Sequence, residues 1–172
     1  MAQFYELFSP YINEADLQTI GFCEIVKFRV VRATRNLTLG LKSDTLLDYS
    51  FIQRVERQLK ESLNMTAVKL EMHYSQSLFD IDKIEKIISP VKTLNSAANG
   101  FFDGVEAELE DDTLTLCLKK GGKDILEAQK VDKDIAELIY KEFGIDLVIS
   151  FMEVQTFDIE QAVREAVAEK QK

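Results

Sequence analysis

Histidine, cysteine and unbroken apolar runs are nearly absent from this sequence. Of 172 residues one is histidine, two are cysteine and none is tryptophan. A Ser-His-Asp or Cys-His nucleophilic unit would have to be built on His73 alone, which ends a strand-like segment beside Tyr74. That position is typical of a surface or packing residue. Cys23 and Cys117 lie in different halves and make no disulfide framework. With one histidine beside them, a metal site built on His and Cys is almost excluded by count. Reduced thiols fit a cytoplasmic chain. No apolar run approaches the ~20 residues that span a bilayer. The start, Met1-Ala2-Gln3-Phe4-Tyr5-Glu6-Leu7, lacks the basic region of a secretory leader. No membrane partner is expected.

Basic charge is also scarce, and unevenly so. The net charge is −9. Residues 1–76 carry nine Lys/Arg and nine Asp/Glu, whereas the remainder carries twelve basic and twenty-one acidic residues. A step of this kind places a boundary near 75–78. It also argues against the second half as a general nucleic-acid binder, because phosphate contacts need a basic surface. A hydrophobic content of 46% allows a real core, so the chain is expected to fold. Two units of about 70–80 residues would be marginal alone. They should therefore pack against each other or against a partner.

What is present is a layout that occurs twice, at 14–74 and 80–152: helix, two-stranded hairpin, helix, strand. In the first copy Asn13 is placed to cap a short helix that stops by Gly21. Phe22, Val26, Phe28 and Val30 then alternate with Lys27 and Arg29, and Leu37, Leu39 and Leu41 alternate with Thr38, Gly40 and Lys42. Phe51, Ile52, Val55, Leu59 and Leu63 form a helical stripe, with Asp48 among its candidate caps. Val68, Leu70 and Met72 give a third strand. Alternation places the apolar residues of all three strands inward. The opposite face then carries Lys27, Arg29, Thr38, Lys42, Lys69, Glu71 and His73, with Arg32 and Arg35 at the hairpin tip. It reads either as an ordinary solvated sheet face or as an electrostatic docking surface for an acidic partner or a phosphate backbone.

The second copy begins with Ile84, Ile87 and Ile88, breaks at Ser89-Pro90, and continues its buried side through Val91 and Leu94. Strands at 105–110 and 113–118 place Val105, Ala107, Leu109, Leu114, Leu116 and Leu118 inward. Glu106, Glu108 and Glu110 face outward beside Thr113, Thr115 and Cys117. Such a row guards an edge strand against stray pairing. A helical region at 123–143 breaks around 130–132, and a strand at 146–152 follows. Gly121-Gly122-Lys123 lacks the spacing of a phosphate loop and is better explained by turn geometry. Asp111-Asp112 and the glutamates are weak evidence for a hard cation. No catalytic, cofactor-binding or metal-ligating residue is assigned.

Three segments together carry a family resemblance: 27–41 with its strand-turn-strand pattern, Ile87-Ile88-Ser89-Pro90-Val91-Lys92-Thr93-Leu94-Asn95, and Lys141-Glu142-Phe143-Gly144. With them the chain resembles the N-terminal region of the PolC-type DNA polymerase III alpha subunit, the bacterial replicative polymerase. The resemblance implies a first α+β domain at 1–76, similar to the polymerase-binding C-terminal domain of the clamp-loader tau subunit. It implies a second, type II KH-like domain at 77–155, and the capping box Asp158-Ile159-Glu160-Gln161 predicts a lead-out helix at 156–172 that fits it. The parent chain would continue after Lys172 as a DNA-directed DNA polymerase with a proofreading exonuclease, and none of those catalytic motifs maps here. The G-x-x-G loop of working KH domains should fall near Ala128-Gln129-Lys130-Val131-Asp132-Lys133, which contains no glycine.

The expected fold is α+β, two small domains each with a three-stranded sheet and helices on one face. The expected role is a non-enzymatic, cofactor-free region that makes protein–protein contacts in the replisome during DNA replication. Lys27, Arg29, Arg32, Arg35, Lys42 and Lys69 form its candidate interaction face. The alternative is a KH-like module that binds single-stranded nucleic acid, with single-stranded DNA as its partner.

Overall fold

The computed structural model describes residues 2–96, 98, 100–153, 164 and 166–168. Asn13 starts the repeated layout as expected. Its side-chain oxygen accepts the Asp16 amide at 2.8 Å and opens helix α2, Glu14–Ile20. Strands β1 (Glu24–Val31) and β2 (Asn36–Ser43) follow as an antiparallel hairpin, whose turn needs Arg35 at φ 56°. Helix α3 (Tyr49–Ser62) returns the chain to β3 (Ala67–Tyr74), which lies parallel to β2. Asp48 occupies the cap position of α3, yet its carboxylate makes no cap hydrogen bond and pairs instead with Lys86 at 3.3 Å.

In the second unit Ser89-Pro90 divides the helical run into α4 (Ile84–Ile87) and α5 (Ser89–Leu94). Strands β4 (Glu106–Glu110) and β5 (Thr113–Leu118) form the antiparallel hairpin. Helices α6 (Lys123–Ala128) and α7 (Val131–Phe143) then lead to β6 (Val148–Glu153), parallel to β5. Gly121 and Gly122 have φ of 70° and 94°, and a Cβ on Gly122 would lie 2.4 Å from the Phe101 ring. Both the backbone and the close approach demand glycine there.

The fold is therefore α+β, with two three-stranded sheets in the orders β1-β2-β3 and β4-β5-β6. The duplication extends to strand direction, since each sheet pairs its first two strands antiparallel and its last two parallel. Helix α3 packs on β3, and α6 and α7 pack on β6. The expected lead-out helix at 156–172 lies outside the described residues, apart from Arg164 and 166–168, which are helical.

The N-terminal residues form an element that alternation did not reveal. Helix α1 (Phe4–Phe8) and a 3-10 turn at Ser9–Tyr11 bury Phe4, Phe8 and Ile12. The two phenylalanines are four apart, share one helix face, and place their rings 5.0 Å apart. Just before α1 the backbone pairs with the start of β1. The Phe4 amide donates to the Cys23 carbonyl at 2.8 Å, and the Ile25 amide donates to the Ala2 carbonyl at 2.9 Å.

Asp16 ties α2 to α3. Its buried carboxylate accepts from Arg54 Nε at 3.0 Å, Arg54 Nη2 at 2.8 Å, Gln58 Nε2 at 2.6 Å and Asn13 Nδ2 at 3.0 Å. The bonds from Arg54 hold the Asp16 carboxyl below the usual carboxylate range. Burial alone would have raised it, so the donor set wins.

The two units meet around Phe143. Its ring lies 5.2 Å from that of Tyr74 and 5.5 Å, edge-on, from that of Phe79. Gln76 Nε2 donates to the Gly144 carbonyl at 3.1 Å, and Lys86 Nζ donates to the Leu46 carbonyl at 3.3 Å. The buried apolar residues of both units form one cluster. Beside Phe143, Glu142 shares with Tyr49 and Tyr74 the lining of a cavity of about 20 Å³, room for a single water. Burial pushes the Glu142 carboxyl up to about 8. The same burial raises both tyrosines, with the charges of Glu56 and then Glu142 adding at Tyr49 and that of Glu142 at Tyr74.

Two outcomes follow for stability. Asp16→Ala leaves Arg54 and Gln58 without their acceptor and should cost about 2 kcal/mol in urea unfolding at neutral pH. Its effect should shrink in strong acid, because a carboxylate with a lowered folded pKa loses its contribution as pH falls through that pKa. Glu142 has the opposite sign. Its folded pKa lies above the unfolded one, so stability is fully present below the unfolded pKa and is lost as pH rises towards about 8. Glu142→Gln should therefore raise the melting temperature more at pH 9 than at pH 5. An equal gain at both pH values would show that burial does not hold this carboxyl neutral.

Candidate interaction surface

The six cations selected from the sequence occupy one face and one tip. Register across the first sheet places Arg29, Thr38 and Lys69 in one row and Lys27, Gly40 and Glu71 in the next. Glu24, Lys42 and His73 share a third row. Arg32 and Arg35 are exposed in the β1–β2 turn. The rows are not equally basic. Lys27 Nζ lies 3.2 Å from Glu71 Oε2, and the Glu137 carboxyl on α7 is lowered chiefly by its hydrogen bond from Lys141, with a smaller pull from Lys69. Lys141 of α7 likewise feels Glu71. Charge is balanced along β3. Among the described residues Arg29, Arg32, Arg35 and Lys42 make no ion pair, so the net positive potential lies on the β1–β2 side and its tip.

The apolar face of β1 departs from expectation. Phe22, Val26, Phe28 and Val30, expected inward, are 73%, 41%, 57% and 42% exposed. Phe28 pairs with Leu39 and Val30 with Leu37, so both stand on the helix side of the sheet. They remain uncovered because β1 is an edge strand. Helix α3 lies over the far side of the sheet, packed on β3, and Leu37, Leu39, Leu41, Leu70 and Met72 are buried there. The register shifts between Ile25 and Lys27, a bulge at Val26. A Cβ on Gly40 would lie 2.7 Å from the Lys27 Cβ. Glycine on the central strand thus lets the bulged edge approach.

The outer edge of β1 is half used. Residues 2–4 pair with it as far as Ile25 through an antiparallel bridge between Gln3 and Glu24. Beyond that point, residues 26–31 have no outer strand partner among the described residues. The outer edge of β3, by contrast, is closed. Glu56 Oε2 on α3 accepts the Leu70 amide at 3.1 Å, and α7 packs alongside. Burial raises the Glu56 carboxyl, opposed by that hydrogen bond and by Lys69.

The second sheet presents the opposite charge. Glu106, Glu108 and Glu110 lie on its open face in rows with Cys117, Thr115 and Thr113. Glu106 pairs with Lys119 at 3.2 Å. Cys117, expected outward, is on that face but buried, because it is a small residue on the central strand between Glu106 and Met152. Burial first, then Glu108 and Glu106, push its thiol up. Burial likewise pushes up the Cys23 thiol. Neither sulfur has the cationic setting of an activated thiolate. Leu109 and Leu94, also expected inward, are 44% and 78% exposed. Leu109 sits on an edge strand. Leu94 ends α5 and borders a groove of about 1000 Å³ between β3 and α7, which His73 also lines.

Where a G-x-x-G loop would grip nucleic acid, α6 and α7 are joined by Gln129 and Lys130, with Lys130 at φ 57°. Among the described residues no group of His, Cys, Asp and Glu is arranged to hold a metal ion.

No protein-family model matches this chain, and no curated protein matches it. Among solved structures, one titled "Crystal structure of APE1850" is similar at 13% identity and a TM-score of 0.32. The match covers 84% of this chain and 96% of that one. A likeness at that level carries no argument about function.

Proposed function

We propose that this chain is a non-catalytic interaction region of a PolC-type replicative DNA polymerase, and that it docks replisome proteins through the β1–β2 side of its first sheet. The observation that carries the docking role is the exposure of both faces of β1. One face holds Arg29 and the other Phe28 and Val30, all accessible on the same strand. Exposed aromatic and arginine side chains are the groups that most often anchor protein interfaces. The assignment to the polymerase rests on the sequence resemblance. It is supported by the order of the second unit, which is α-β-β-α-α-β when the α4–α5 run is taken as one broken helix, with its parallel closing strand, the order expected of a type II KH-like domain.

Nucleic-acid binding by that second unit draws little support. Its open face carries three glutamates, and its helix–helix connection has no glycine. Backbone phosphates would meet repulsion there.

Purified replisome components (clamp loader, sliding clamp, helicase and primase) provide the test. At least one should bind the full chain. Reversing Arg29, Arg32, Arg35 and Lys42 to Glu should weaken that binding at least tenfold, about 1.4 kcal/mol. Reversing Glu106, Glu108 and Glu110 to Lys should leave it unchanged. Failure of every component to bind, or indifference to the first reversal, would overturn the proposal. Tight, salt-sensitive binding of single-stranded DNA to the second unit would favour the alternative.

A further inference from the structure

We infer that the open stretch of β1, residues 26–31, accepts an extended segment of a partner protein as a fourth strand, with acidic residues on the Lys27–Arg29 side and apolar residues on the Phe28–Val30 side. The inference deepens the docking role proposed above and rests on it.

Three observations point to strand addition. First, this edge already pairs with backbone. Residues 2–4 form an antiparallel bridge to it at Glu24, with Ala2 at the Ile25 end, and α1 departs at the opposite end beside Cys23. An added antiparallel strand would continue the same line. Second, the outer edges of β3 and β4 are guarded, and that of β1 is less so. Helix α7 and Glu56 close β3, and three glutamates charge β4. On β1 the one lysine is drawn towards Glu71, leaving Phe28 and Val30 unguarded beside unpaired backbone. Natural sheets rarely leave an apolar edge open without a partner for it.

Third, the two chemistries lie on opposite faces of one strand. Arg29 is in row with Thr38 and Lys69, while Phe28 and Val30 are in row with Leu39 and Leu37. A single-stranded nucleic acid needs stacking aromatics and phosphate-binding cations on one face. An alternating β-strand presents one set of side chains to each face and meets both at once. Charge complementarity fixes its polar set as acidic, because Arg29, Arg32, Arg35 and Lys42 make no ion pair among the described residues.

The test uses the full chain and an eight-residue peptide alternating Val and Glu. Its controls are an isomer of the same composition with the residues in two blocks, and an alternating peptide N-methylated at every second residue. Binding is read by fluorescence anisotropy, and its location by amide hydrogen exchange. The alternating peptide should bind at least tenfold tighter than either control and slow exchange within 26–31. Arg29→Glu and Phe28→Ser, both at exposed positions, should each weaken binding about tenfold while leaving the melting temperature unchanged. Equal binding by the block isomer would overturn the inference, as would protection that falls elsewhere or displacement of the peptide by single-stranded DNA. So would self-association abolished by Glu108→Lys with Glu110→Lys, which would make β4 of a second copy the occupant. If the peptide does not bind while charge reversal still abolishes capture of a replisome protein, strand addition falls and the docking face stands. If the peptide binds as described and no replisome component does, the polymerase assignment falls instead.

Discussion

The seating of Phe143 between Tyr74 and Phe79 is the constraint on which the rest of this structure depends. Each unit has about 75 residues and one three-stranded sheet, a size at which a separate core is marginal. Phe143 closes the last helix of the second unit against the last strand of the first and the linker between them. The apolar interiors merge into one cluster. The same contact brings α7 beside β3, so one sheet edge that would otherwise invite pairing is sealed within the molecule. Glu142, which precedes that ring, lines the cavity at this joint. Burial there is what raises its pKa.

Sealing β3 gives β1 its character. A three-stranded sheet has two outer edges, and the fold closes one with a helix and leaves most of the other open. Helix α3 is centred away from β1, so the apolar side chains of that edge strand emerge with its arginine. The second sheet repeats the topology with the charge inverted, carrying glutamates on its first strand. The duplicated scaffold thus presents two unlike surfaces, one cationic and apolar, the other acidic. Electrostatics of this kind governs which partners can approach each surface.

Much of the fold was legible in the sequence, because alternation and helical periodicity report local burial directly. The stripe at Ile52, Val55 and Leu59 is buried as periodicity requires. The candidate face was legible too, since Lys27, Arg29, Lys42 and Lys69 share it through simple parity. Periodicity has no term for lateral position in a sheet. It assigned Phe28 and Val30 inward because they alternate like Leu37 and Leu39, and it could not register that β1 is an edge. It placed Cys117 outward, where a crowded central strand buries it. Nor did it reveal α1, whose five residues are too few to show a period.

The sequence by itself determined which residues alternate, where helices start and stop, and that charge divides unevenly between the halves. These properties depend on neighbours along the chain. Only the tertiary structure decided which strand would lie at an edge, which edge a helix from the other unit would cover, and which cations would meet a carboxylate. Lys27 met Glu71 across forty-four positions, whereas Arg29, two residues away, met no carboxylate among the described residues. Such pairings arise when distant segments pack together, and no local pattern records them.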